Sequence, residues 1–125
     1  MSASPLDLAA RFFAAIEAGD VATVEALYHE DARVWHNHDR VEQTRAENMA
    51  VLRWMVRNLK GLRYAVTRRE ALPDGFVQTH VLHATLPDGR PFELPACIIA
   101  TVRDGRITRL EEWLDGASLP GLTAG

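Results

Sequence analysis

Five side chains in this sequence have the chemistry for acid–base work and fall where short strands are expected: Glu112, His80, Gln78, His36 and Asn37. Strand alternation puts Thr108, Leu110, Glu112 and Leu114 on one face, and Ile107, Arg109, Glu111 and Trp113 on the other. If the Leu110 face is the inner one, Glu112 is a carboxylate held between two leucines. Desolvation then raises its pKa, which suits a general acid or base. In the opposite orientation Glu112 is solvated or salt-bridged, and Glu111 or Arg109 points inward.

His80 shares a face with Phe76, Gln78 and Leu82, and an imidazole there can pass or accept a proton near neutral pH. It would stand one strand away from Glu112, roughly 10 Å across the sheet at the backbone. The competing arrangement turns Val77, Thr79, Val81 and His83 inward and leaves His80 structural. His36 and Asn37 are adjacent, so only one of them lines any common pocket, and both remain candidates. His36 and His38 also share a strand face, with Asp39 beside them and His80 as a conceivable third ligand. No Cys pair or Glu-x-x-His pattern supports a metal site, and none is expected.

Composition narrows the classes of function. The 125 residues suit one domain, and 1–125 is read as such. Fourteen Lys and Arg against seventeen Asp and Glu give a net charge of −3, the wrong sign for a nucleic-acid or anionic-membrane binder. No apolar stretch approaches the roughly 20 residues that span a bilayer, and the start lacks a signal-peptide pattern. A cytoplasmic protein is expected. The single Cys97 lies in an apolar strand and reads as an inert thiol.

The elements that must position these groups are legible in the periodicity. Ser4 caps a first helix with Leu6, Ala9, Ala10, Phe13 and Ile16 as its stripe, and Gly19 ends it. Asp20 caps a second helix with Val21, Val24, Leu27 and Tyr28 inward. A brief strand follows over 32–37, then a third helix over 44–59. Beyond Gly61 four strands meander, over 62–72, 76–86, 91–103 and 106–114. Pro73-Asp74-Gly75, Pro87-Asp88-Gly89 and Asp104-Gly105 are the turns between them. Pro95 is a possible interruption of the third. Residues 115–125 read as a loose tail. The expected class is α+β: a cone-shaped, strongly curved antiparallel sheet wrapped around three N-terminal helices, with a central cavity.

This order of elements resembles the nuclear transport factor 2-like, or ketosteroid-isomerase-like, superfamily. The resemblance rests on Arg11-Phe12-Phe13-Ala14-Ala15-Ile16-Glu17-Ala18-Gly19-Asp20, Tyr28-His29-Glu30-Asp31-Ala32, Trp35-His36-Asn37, Asp104-Gly105-Arg106-Ile107 and Glu111-Glu112-Trp113. Within the superfamily the chain is most similar to SnoaL-like polyketide cyclases and limonene-epoxide-hydrolase-like proteins. The resemblance implies that the Leu110 face looks into the cavity. It places Phe12 where ketosteroid isomerases carry a tyrosine donor, and their base at or beside His36. Their second oxyanion donor falls within the apolar run Cys97-Ile98-Ile99-Ala100, so that mechanism is not expected. The epoxide-hydrolase pattern matches Trp35, Asn37 and Glu112, but its Arg-x-Asp is replaced by Gln78-Thr79-His80.

Two functions follow. In the first, the chain is an enzyme without a cofactor, acting on a small, largely apolar molecule by isomerisation, ring closure, dehydration or hydration. Glu112, His80, Asn37 and His36 are its catalytic candidates, and Trp35, Gln78, Phe12, Leu110 and Leu82 its substrate contacts. In the second, the same cavity binds a ligand or the sheet binds a protein, without chemistry. Glu112 tied into a salt bridge would favour that second reading. Under either, a homodimer is expected, because Val81 and Trp113 would leave an apolar outer face. Tyr28 and Tyr64 read as packing residues.

Overall fold

The computed structural model describes residues 4–119, so the end of the expected tail lies outside the described residues. Helix α1 runs Pro5–Ala18, with the Ser4 side chain accepting from the Asp7 amide and Gly19 in the left-handed region at its exit. Its buried face is Leu8, Ala9, Phe12, Phe13, Ala15 and Ile16, while Leu6 is exposed. The helix is therefore rotated from the expected stripe, and both phenylalanines point into the core. Helix α2 (Val21–Leu27) is capped by Asp20 and leads directly into strand β1 (Tyr28–His36).

After β1 come a three-residue strand β2 (Glu42–Thr44), which periodicity did not reveal, and helix α3 (Arg45–Asn58). Thr44 and Glu47 form a reciprocal capping box at the start of α3. The meander follows as β3 (Lys60–Leu72), β4 (Gly75–Thr85), β5 (Pro91–Arg103) and β6 (Arg106–Leu114). Strand order is β2-β1-β6-β5-β4-β3, so the sheet curls against the helices without closing. Its pairs are antiparallel with one exception, which corrects the expected all-antiparallel sheet: β1 and β6 run parallel. That geometry needs a long crossover between the two strands, and α3 with three meander strands supplies it.

Local chemistry explains the connections. Asp104 and Gly105 both have positive φ, as a two-residue hairpin of this twist requires. Pro95 leaves β5 unbroken, because the β6 ladder reaches only Ala96, so at Pro95 the strand pairs with β4 alone. Ile107 is fully buried rather than on the outer face, because a register shift between β5 and β6 separates it from Arg109. The core joins α1, α2 and α3 to the inner positions of all the longer strands. No described helix is long and apolar enough to cross a membrane.

Gly75 closes the Pro73–Asp74 turn by pairing with Leu72 and opens β4 with an ordinary φ. A Cβ there would overlap the backbone carbonyl of Ala100 on β5. Gly75→Ala is therefore expected to destabilise the fold by about 1–3 kcal/mol through backbone overpacking. Urea unfolding checks this, and a loss under about 0.5 kcal/mol would show that β4 and β5 part freely.

Candidate functional site

The parallel pairing of β1 with β6 sets His36 directly beside Glu112. The His36 Nε2 lies 3.0 Å from Glu112 Oε1, with both side chains mostly buried. Glu112 points inward between Leu110 and Leu114, and Ile98 is its partner on the β5 side. Arg109 and Glu111 lie on the other face, where Arg109 pairs with both Glu42 and Glu111. Burial works against a charged His36. The hydrogen bond and charge of Glu112, with the charge of Asp39, outweigh it and raise the imidazole above its ordinary 6.5.

Around this pair lies a pocket of about 400 Å³, whose walls include Phe12, Phe13, Tyr28, Val34, Tyr64, Leu82, Phe92, Ile98, Leu110 and Leu114. The exposed side chains of Val51 and Trp54, from α3, contribute to its lining. Two tyrosines, Tyr28 and Tyr64, are among its lining residues. Burial first, and then the Glu112 charge, push both phenols well above their ordinary 10, so both stay protonated. The Tyr28 hydroxyl donates to Asn48 Oδ1 at 2.9 Å. The Tyr64 hydroxyl has no hydrogen-bond partner among the described residues, while its backbone amide donates to Glu17 of α1 at 2.7 Å. Neither tyrosine was singled out from the sequence. Asn48 carried the clearer signal: it is in helical phase with Leu52 and Met55, a polar residue on an inward stripe.

The other expected residues divide sharply. Phe12, Leu82 and Leu110 line the pocket. Asn37 and Trp35 do not. The Asn37 Oδ1 accepts from the Leu114 amide at 2.7 Å, and its own amide donates to the Glu112 carbonyl at 3.1 Å. It thus ties the end of β1 to β6 instead of holding a substrate or water. Trp35 lies against Trp113, ring centroids 5.0 Å apart, away from the pocket.

His80 and Gln78 are buried on the inner face but stand outside the pocket lining. The His80 ring packs edge-on against Phe13 and Tyr64, which stand in the pocket wall. Arg69 Nε donates to Gln78 Oε1 at 2.6 Å, and Gln78 Nε2 lies 2.8 Å from His80 Nδ1. With its oxygen engaged by Arg69, the amide donates to Nδ1, which fixes the proton of the neutral imidazole on Nε2. Burial lowers the pKa of His80, with Glu112 opposing and Arg69 reinforcing the shift. The structure thus brings His36, and not His80, into contact with Glu112. Among the described residues no group of three or more His, Cys, Asp or Glu is placed to hold a metal ion.

A family model for the SnoaL-like domain matches residues 9–110. The chain belongs to the SnoaL-like domain family. Solved structures share the fold of this SnoaL-like protein over nearly its whole length. IdmH of Streptomyces antibioticus, a proposed polyketide cyclase, is 21% identical over 98% of this chain and 100% of its own, with a TM-score of 0.82. A nuclear transport factor 2-like protein of unknown function from Burkholderia pseudomallei is 18% identical over 98% and 99%, at 0.81. A limonene-epoxide-hydrolase-like enzyme of Mycobacterium tuberculosis is 18% identical over 94% and 87%, at 0.78. At these identities the likeness is one of fold. Among curated proteins none matches the sequence significantly.

The two histidines of this SnoaL-like domain give opposite pH signatures. His36 has a raised pKa, so its contribution to stability is complete below 6.5 and is lost as pH rises through its folded value. His80 has a lowered pKa, so its neutral form stabilises fully above 6.5 and that contribution falls away below it. Urea unfolding between about pH 5 and 9 should show stability declining on both sides, with His36→Gln flattening the alkaline limb only. Imidazole NMR titrations must place His36 above 6.5 and His80 below it.

Proposed function

We propose that the pocket receives a small, neutral, largely apolar molecule and that Glu112 is the general base for a reaction carried out by the chain's own side chains. The observation that supports this is the position of Glu112: its charge reaches Tyr28, Tyr64, His36 and His80, groups from three different strands. His36 holds Oε1. The second carboxylate oxygen can then meet a substrate proton.

A salt bridge to Glu112 was the arrangement expected of a protein that binds without chemistry. Its partner here is a histidine, raised above its ordinary 6.5 but, unlike arginine or lysine, still able to give up its charge. Neutral His36 still donates its Nε2 proton to Oε1 and leaves the carboxylate basic. Catalysis therefore rises as His36 deprotonates.

The reaction class this equipment suits is enolisation followed by isomerisation or ring closure. Glu112 takes a proton from carbon beside a substrate carbonyl. The C–H electron pair moves into the carbon–carbon bond, and the carbonyl π pair moves onto oxygen. The free Tyr64 hydroxyl donates to that oxygen, a contribution worth about 10²–10³ in rate for donors of this kind. In isomerisation the proton returns to another carbon; in ring closure the carbon attacks a second carbonyl of the same molecule, whose oxygen takes the proton. Hydration is less well supported, because Asn37, which matches the epoxide-hydrolase-like pattern, is engaged with the Leu114 amide. The SnoaL-like family and its cyclase-like neighbours agree with ring closure.

Deuterium exchange in 2-tetralone, a small ketone with acidic α-hydrogens, reads the base step directly by NMR. Exchange should be enzyme-dependent and fall about 10²–10⁴-fold in Glu112→Gln, and its pH profile should lose the His36 limb in His36→Gln. Exchange surviving Glu112→Gln within about tenfold would sink the mechanism.

A homodimer across the outer sheet face belongs to the same proposal. Trp113 and Ile99 are exposed there, with Trp35 beside Trp113. Light scattering at micromolar concentration should give twice 13.9 kDa, and Ile99→Asp should halve it; a monomer throughout would count against the dimer.

A further inference from the structure

The pocket wall contains a second polar group with no part in the proton transfer. Tyr28 at the start of β1, Asn48 on α3 and Gln43 on β2 all line the pocket. They form one hydrogen-bonded chain. The Tyr28 hydroxyl donates to Asn48 Oδ1 at 2.9 Å, and Asn48 Nδ2 donates to Gln43 Oε1 at 3.0 Å. Tyr28 is 2% exposed and Asn48 6%, so water does not replace these partners readily.

The direction of the chain has a chemical consequence. A phenol has one proton, and Asn48 accepts it. What Tyr28 can still offer is an oxygen lone pair. Tyr64 is the reverse, a phenol whose proton is unengaged by the described residues. The two tyrosines therefore differ in what they ask of a ligand: Tyr64 asks for an acceptor, Tyr28 for a donor. Charge narrows the ligand further. No lysine or arginine lines the pocket, and its two histidines, His36 and His38, already face Glu112 and Asp39, so a carboxylate or phosphate would be buried without a free counter-charge.

The geometry points to Tyr28–Asn48–Gln43 as a specificity subsite that selects, among neutral apolar ketones, those carrying a hydroxyl group away from the reacting carbonyl. The ligand's hydroxyl donates to the Tyr28 oxygen while its carbonyl accepts from Tyr64. Asn48 is a positioning residue that keeps the Tyr28 proton turned away. This inference rests on the reading of the pocket as a ligand site, but not on the identity of the base.

Matched probes test it: 2-tetralone, its ring-hydroxylated derivatives at each aromatic position, and the corresponding methoxy ethers, with affinities measured by calorimetry. At least one hydroxy isomer should bind the full chain about tenfold tighter than 2-tetralone and its methoxy ether, as one well-formed hydrogen bond allows. Tyr28→Phe should erase that preference, so that the hydroxy isomer and its methoxy ether bind alike. Asn48→Leu frees the Tyr28 proton, so the preference should invert toward the methoxy ether, which only accepts. A general loss of packing would weaken all probes alike. Thermal melts establish that each variant is folded, and Gln43→Leu, at a half-buried position, serves as a milder variant that should reduce the preference.

No hydroxyl preference in the wild-type chain, or one that survives Tyr28→Phe, overturns the subsite. Probe binding with the preference intact but without deuterium exchange overturns Glu112 as base and leaves the subsite standing. No binding by any probe overturns both.

Discussion

One pairing governs the rest of the inner face: Glu112 of β6 against His36 of β1. A carboxylate inside an apolar pocket is costly unless something meets its charge. The partner reaches it only because β1 and β6 lie parallel and in this register. Asn37 fixes that register twice, by its own amide to the Glu112 carbonyl and by its side chain to the Leu114 amide. A residue outside the pocket lining thus decides whether His36 and Glu112 meet. A histidine in the partner position keeps the arrangement reversible, since it can still give up its charge.

Helix α1 then divides the inner face. Phe13 packs on Tyr64, Phe76 and His80, and its ring also lies beneath the Arg69 guanidinium at 5.9 Å. On one side of this aromatic wall is the pocket with Glu112, His36 and two phenols. Beyond it lies the Arg69–Gln78–His80 chain, in which Arg69 holds the Gln78 oxygen and Gln78 holds His80 Nδ1, while His80 Nε2 is buried with no partner among the described residues. The inner face of the sheet therefore carries two separate polar groups, and the packing of one phenylalanine stands between them.

This explains what the sequence made legible. Alternation along β6 was enough to place Glu112 between Leu110 and Leu114, because an edge-to-edge period of two survives folding wherever no bulge intervenes. It failed five residues earlier, at Ile107, where a register shift does intervene. His80 was correctly assigned to the Gln78 face, yet periodicity describes facing and says nothing of what covers a residue. Asn37 could not be assigned from its neighbours, since its partner amide lies 77 residues away. The parallel β1–β6 pair is hidden for the same reason, being set by how the whole meander returns to the first strand. Tyr64 resembled a packing residue because only the partner-free state of its hydroxyl distinguishes it from one.

The position of Tyr64 also bears on how this fold varies its chemistry. Where ketosteroid isomerases, by resemblance, carry a tyrosine on the first helix, this chain has Phe12, whose ring lines the pocket edge-on to Phe13 and Tyr28. A phenol lines the pocket instead from β3, that of Tyr64. Helix α1 still takes part in placing it, because Glu17 accepts the Tyr64 amide next to an irregular stretch of strand register. A hydrogen-bond donor need only reach the position where negative charge develops, and a curled sheet offers several strands from which to reach it. The constraint on this architecture is thus the location of the carboxylate, fixed by the parallel strand pair. The groups that answer it can be supplied from whichever neighbouring element presents a side chain of the right length.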